Sequence, residues 1–170
     1  PEDAIKWGLY SFKAQSGTDF TSKLIHKSIC ANGGGTYANG KLYFTSYYEG
    51  MDGNLGYLYF CVLDLATMNM NQIALHSDYY TSIATDMTYD PVGNTIYSQA
   101  YPDDANTSTD WKYTLSTVNP ATGIASRIAQ LDRMSMIACD ESGNLYGVRY
   151  NDGMFCSIDK QTAKVKEIGL

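Results

Sequence analysis

Asp90-Pro91-Val92-Gly93-Asn94-Thr95-Ile96-Tyr97 and Asp140-Glu141-Ser142-Gly143-Asn144-Leu145-Tyr146-Gly147 are two copies of one phrase. Each sets an acid, a Gly and an Asn ahead of a β-forming residue and a tyrosine. A shorter copy is Asn39-Gly40-Lys41-Leu42-Tyr43. A β-rich run precedes each turn (34–37, 86–89 and 136–139), and another follows it (42–47, 96–101 and 145–150). Tyr43, Tyr97 and Tyr146 share one column, and Tyr47, Tyr101 and Tyr150 share a second.

A variable loop and a second hairpin follow in every copy. Its strands are 57–64 and 70–75, then 113–119 and 124–128, then 154–159 and 165–168. The N-terminus carries this second half alone, as 7–12 and 20–25. The turns are built from residues that tolerate φ > 0, with Pro120 fixing φ ahead of Ala121-Thr122-Gly123. No helical period is sustained. Four short antiparallel runs repeated every ~40–50 residues predict an all-β fold, a β-propeller of four-stranded blades. A β-sandwich also has short, evenly spaced strands, but seldom this column-by-column repeat. About three and a half blades are present in one partial propeller: a half blade at 1–28, then blades at 29–78, 79–131 and 132–170.

The phrases at 90–97, 119–123 and 140–147 resemble repeats of bacterial extracytoplasmic β-propellers in the YVTN/quinoprotein/WD40-like group, including uncharacterised Bacteroidetes proteins. The resemblance implies a fold and an extracytoplasmic location (periplasmic, cell-surface or secreted), but no activity, because that group mixes enzymes, scaffolds and binders. No Trp-Asp dipeptide closes a strand, unlike a true WD40 repeat.

The chain has 170 residues, with 12 Lys+Arg against 18 Asp+Glu. That balance, with no basic cluster, argues against nucleic acid as a partner. No apolar run approaches the ~20 residues of a membrane span. Cys30, Cys61, Cys139 and Cys156 form no metal-binding pair and read as small buried hydrophobes, with disulfides left open. Gly35 to Lys41 nearly spells a phosphate-binding loop, but Leu42 stands where Ser or Thr is needed, so a hairpin turn is expected.

Three and a half blades are too few to close a ring. If each end face shows three or four aromatics, the lost burial is on the order of 10–20 kcal/mol. The expected partners are therefore remaining propeller blades or a second copy of the chain.

The loops after the second tyrosine column, 48–56 and 102–111, should emerge together on one face. Tyr47, Tyr48, Asp52, Tyr101, Asp103, Asp104, Trp111 and Tyr150 form the expected ligand rim, with rings to stack on a glycan or protein ligand and carboxylates to accept its hydrogen bonds. Asp103, Asp104, Asn106 and Asp110 offer oxygens to a Ca²⁺, without EF-hand spacing; no other cofactor is indicated. His26 and His76 have no nucleophile motif beside them, and no catalytic residue is assigned. Arg149 and Asp86 are expected to form structural ion pairs between blades. The chain is thus expected to be a non-catalytic binding or interaction module. The alternative is part of a propeller enzyme of carbohydrate or peptide metabolism, with the active site expected in blades other than these.

Overall fold

A computed structural model describes residues 8–12, 22–27, 33–48, 57–75, 84–100 and 113–169; of Lys27, Tyr47, Tyr48 and Tyr57 it describes the backbone alone. All regular structure in these residues is strand. The first sheet pairs β1 (Gly8–Phe12) with β2 (Ser22–Lys27). The second runs in order through β3 (Gly35–Ala38), β4 (Lys41–Tyr48), β5 (Tyr57–Asp64) and β6 (Met70–Leu75). The third holds β7 (Ala84–Asp90), β8 (Thr95–Ala100), β9 (Tyr113–Val118) and β10 (Ala125–Leu131). The fourth holds β11 (Met134–Cys139), β12 (Leu145–Arg149), β13 (Phe155–Ile158) and β14 (Val165–Gly169). Each is an antiparallel meander, as a blade requires.

Three outer turns share one mechanism. Asp64, Asn119 and Asp159 each accept with a side-chain oxygen the N–H two residues on. Their carbonyls accept the N–H of Met68, Gly123 and Ala163, residues forced to φ of 60°, 73° and 56°. Thr67, Thr122 and Thr162 then accept the N–H two positions later. Side-chain acceptors thus fix the turn that ends each β5-type strand. The Asn39-Gly40 turn is the expected two-residue hairpin, at φ 51° and 79°.

Between sheets the packing repeats by column. Phe60 of the second sheet shares a core with Met87, Ile96 and Val118 of the third. Leu115 of the third shares one with Ile137, Leu145 and Ile158 of the fourth. Leu9 of the first packs against the cluster containing Leu63 of the second. The apolar face of each sheet therefore covers the back of the next.

Toward the inner strands the contact becomes polar. The N–H groups of Met134, Ile137 and Cys139, in β11, donate to Gln99 Oε1 at 2.6 Å, Asp86 Oδ2 at 2.7 Å and Thr88 Oγ1 at 2.8 Å. Gln99 Nε2 also donates to the Met134 carbonyl at 3.0 Å. One repeat earlier, Thr45 Oγ1 donates to the Ala84 carbonyl at 3.1 Å. The expectation of interblade ion pairs for Asp86 and Arg149 is corrected. Asp86 crosses between sheets to a backbone amide, and burial pushes its carboxyl pKa up despite the N–H of Ile137 and Met87. Arg149 pairs with Asp152 at 2.7 Å and Glu167 at 2.6 Å, inside its own sheet.

Among the described residues, the ion pair that does cross is Lys160–Asp90, at 2.6 Å. Asp90 is fully buried and also accepts the N–H of Val92 and Gly93. Burial raises its pKa, but the Gly93 N–H, the Lys160 ammonium and the Val92 N–H outweigh this and hold it below the usual carboxylate range. A depressed pKa contributes stability above the unfolded value, lost as pH falls through the folded one. Lys160→Met should cost about 1–2 kcal/mol at neutral pH, the lysine being partly solvated. In urea titrations the difference from the parent should shrink as pH falls below about 4.

Gly123 and Gly153 separate backbone strain from packing. Both have positive φ, 73° and 71°, but a β-carbon at Gly123 would overlap the Phe60 side chain, whereas at Gly153 nothing lies within 4 Å. Gly153→Ala should cost about 1 kcal/mol and Gly123→Ala about 2–4 kcal/mol, read from urea midpoints.

Candidate functional site

The C-terminal ends of β4, β8 and β12 are equivalent in their sheets and lie on one face. Of the expected rim, Tyr150 is described in full, and Tyr47 and Tyr48 by their backbone in β4. Asp52, Tyr101, Asp103, Asp104 and Trp111 lie outside the described residues, as do Asn106 and Asp110 of the Ca²⁺ reading, His76 and Cys30. Among the described residues no three His, Cys, Asp or Glu groups converge to hold a metal ion.

On that face, between the third and fourth sheets, lies a cleft of about 240 Å³ lined by Thr85, Gln99, Tyr113, Arg133, Met134, Ser135 and Tyr150. Its geometry follows from two local irregularities. β7 and β11 each lose ladder register at an equivalent place, between Ala84 and Asp86 and between Met134 and Met136. These bulges set Thr85 and Ser135 outside the regular pairing, at the cleft. The short connection from β10 to β11 then carries Arg133 across from one sheet to the next.

Arg133 is held by tyrosines. Its carbonyl accepts the Tyr150 N–H at 2.9 Å. Its guanidinium carbon lies 3.6 Å from the Tyr150 ring centroid and 5.5 Å from that of Tyr113. Such cation–π contacts contribute ~0.5–2 kcal/mol and fix the plane of the cation. Among the described residues no carboxylate forms an ion pair with Arg133. One face of the Tyr150 ring is thereby taken, so on that face it orients a cation rather than stacking on a ligand. Gln99 is committed to both backbone groups of Met134 and to Thr85 Oγ1. It builds the floor.

The sequence reading missed Arg133, Gln99, Thr85 and Ser135. A signal existed in the shared column of Thr85 and Ser135, polar residues directly ahead of each inner run. The described cysteines are held in the thiol form by burial. Burial pushes the thiols of Cys61 and Cys139 up to about 11, and Cys61, Cys139 and Cys156 are unpaired thiols. His26 lies in β2, on the first sheet.

No family model and no curated protein sequence matches the chain. Solved structures similar to it include the following two. Against TolB from Acinetobacter baumannii the TM-score is 0.54 at 16% identity, covering 88% of this chain and 35% of that one. Against a gluconolactonase from Xanthomonas campestris it is 0.55 at 11% identity, covering 93% of this chain and 54% of that one. The chain thus spans about a third to a half of these proteins. The likeness shows the β-propeller fold and no narrower group. It also corrects one expectation: with a gluconolactonase among propellers of this shape, the lack of a nucleophile motif gives no ground for setting catalysis aside.

Gln99→Leu should leave the buried N–H and carbonyl of Met134 unpaired, costing about 2–4 kcal/mol in urea unfolding. Thr45→Val, which strands only the Ala84 carbonyl, should cost about 1 kcal/mol.

Proposed function

We propose that the chain is a ligand-binding part of a β-propeller, and that its cleft takes a small molecule carrying an anionic oxygen group. One observation carries this reading. Arg133 is fixed against Tyr150 and near Tyr113, at the mouth of a cleft, with no carboxylate ion pair among the described residues. A guanidinium held by ring contacts keeps its N–H fork for a carboxylate or phosphate. Ser135 stands beside it to accept or donate a further hydrogen bond. An acidic sugar fits this chemistry best, its ring filling the cleft and its carboxylate meeting Arg133. A glycan or protein ligand held by the neighbouring loops would extend the same face.

A second reading is favoured by the gluconolactonase among the similar structures: the same cleft would turn over a sugar lactone, whose product is a carboxylate. We place either role outside the cytoplasm, on the resemblance of the repeats. Among the described residues no helix is long and apolar enough to cross a membrane.

The test is a thermal-shift series with gluconate, glucuronate, inorganic phosphate and neutral glucose. Gluconate or glucuronate at a hundredfold excess over Kd should stabilise the protein by about 2.7 kcal/mol, and glucose should not. Arg133→Gln should abolish that shift, at a cost to the unliganded protein of no more than about 2 kcal/mol. Equal response to glucose, or an unchanged response in Arg133→Gln, would end the anionic-ligand reading. Acid release from gluconolactone that Arg133→Gln removes would decide for the second.

A further inference from the structure

The second and third sheets meet through a layer of buried hydroxyls that the next seam lacks. Phe60 of the second sheet packs with Met87, Ile96 and Val118 of the third. Ser98 follows Ile96 by two residues in β8 and pairs with Met87 in β7 and Ser116 in β9, so it shares their face. Ser116 and Thr114 lie on that face by the same alternation, and Thr45 meets them from the second sheet, donating to the Ala84 carbonyl. Ser98 is 0% exposed, and Thr45, Ser116 and Thr114 are at most 4% exposed.

All but one of these hydroxyl protons have an acceptor. The Thr45 proton goes to the Ala84 carbonyl. Thr114 donates its single proton to the Ala100 carbonyl at 3.5 Å, so the 3.2 Å contact between Thr114 and Ser116 is donated by Ser116. Ser116 Oγ keeps lone pairs free to accept. Ser98 Oγ has no hydrogen-bond partner in the protein. A buried hydroxyl in that state has lost its hydration and gained nothing, so native structures keep few of them.

The repeat shows where a partner fits. In the fourth sheet the Met134 side chain covers Gly147, with Sδ 3.1 Å from where a β-carbon would stand. In the third sheet the same two columns hold Ala84 and Ser98, and Ala84 ends at its β-carbon.

We propose that one ordered water is bound between the second and third sheets, accepting the Ser98 hydroxyl proton and donating to Ser116 Oγ. Two such partners meet the requirement of a buried water. The chemistry selects water over an ion. Among the described residues the polar groups of this layer are hydroxyls, and the Asp86 carboxylate turns to the opposite face to reach the Ile137 amide. An ion here would be desolvated without a counter-charge.

A high-resolution crystal structure of the 170-residue chain should show a water within about 3 Å of both Ser98 Oγ and Ser116 Oγ. Urea unfolding gives an independent reading. Ser98→Ala and Ser116→Ala should each lower the midpoint, and the double variant should lose less than the two losses added, since both withdraw support from one water. Circular dichroism confirms that each variant is folded. A Ser98→Ala midpoint above that of the parent would overturn the proposal, because removing a hydroxyl that truly lacks a partner relieves the protein. So would strict additivity of the two substitutions, or density with Ser98 Oγ bonded to a protein atom and no water beside it.

Discussion

The inner strand of a blade presents a bare row of N–H and C=O groups on its free edge, and the side chains of the preceding sheet supply the partners. Gln99, Asp86 and Thr88 reach the amides of Met134, Ile137 and Cys139 in this way. An unpaired edge would otherwise have to stay wet or attract a foreign strand. The remaining order follows from this constraint. With the inner strands registered by hydrogen bonds, the outer columns of Phe60, Leu115, Val118 and Ile158 meet by geometry and bury apolar surface without needing direction of their own.

The cleft is a consequence of the same seam. Gln99 holds Met134 at the point where β11 begins. The bulge beyond it turns Ser135 out of the ladder, and the matching bulge in β7 does so for Thr85. The connection entering β11 carries Arg133, which settles on Tyr150. The residue proposed to bind the ligand is thus anchored by a structural hydrogen bond one residue away. Substitutions on the seam are therefore expected to disturb stability and ligand response together, whereas Arg133 itself should separate them.

Much of the fold was legible because turns in this chain are spelled locally. The Asx and threonine acceptors of the outer turns sit within a few residues of the amides they bind. β5 and β6 were read with the bounds the structure gives, 57–64 and 70–75. β7 and β11 were read as starting two residues late, since Ala84 and Met134 are held by the Thr45 and Gln99 side chains from another sheet. No window along the sequence contains such a pair. Arg133 was missed for the same reason: its ring partners lie 17 and 20 residues away. The rim itself was read from loop length and composition, and Tyr150 alone of its side chains could be placed. The structure gives that residue a cation to hold.

Amide hydrogen exchange on β11 tests the side-chain seam most directly. If the preceding sheet caps this edge, the N–H groups of Met134, Ile137 and Cys139 should exchange only with global unfolding, as slowly as the ladder amides of β12. Exchange of those three at rates typical of an exposed strand edge, with β12 still protected, would contradict the account.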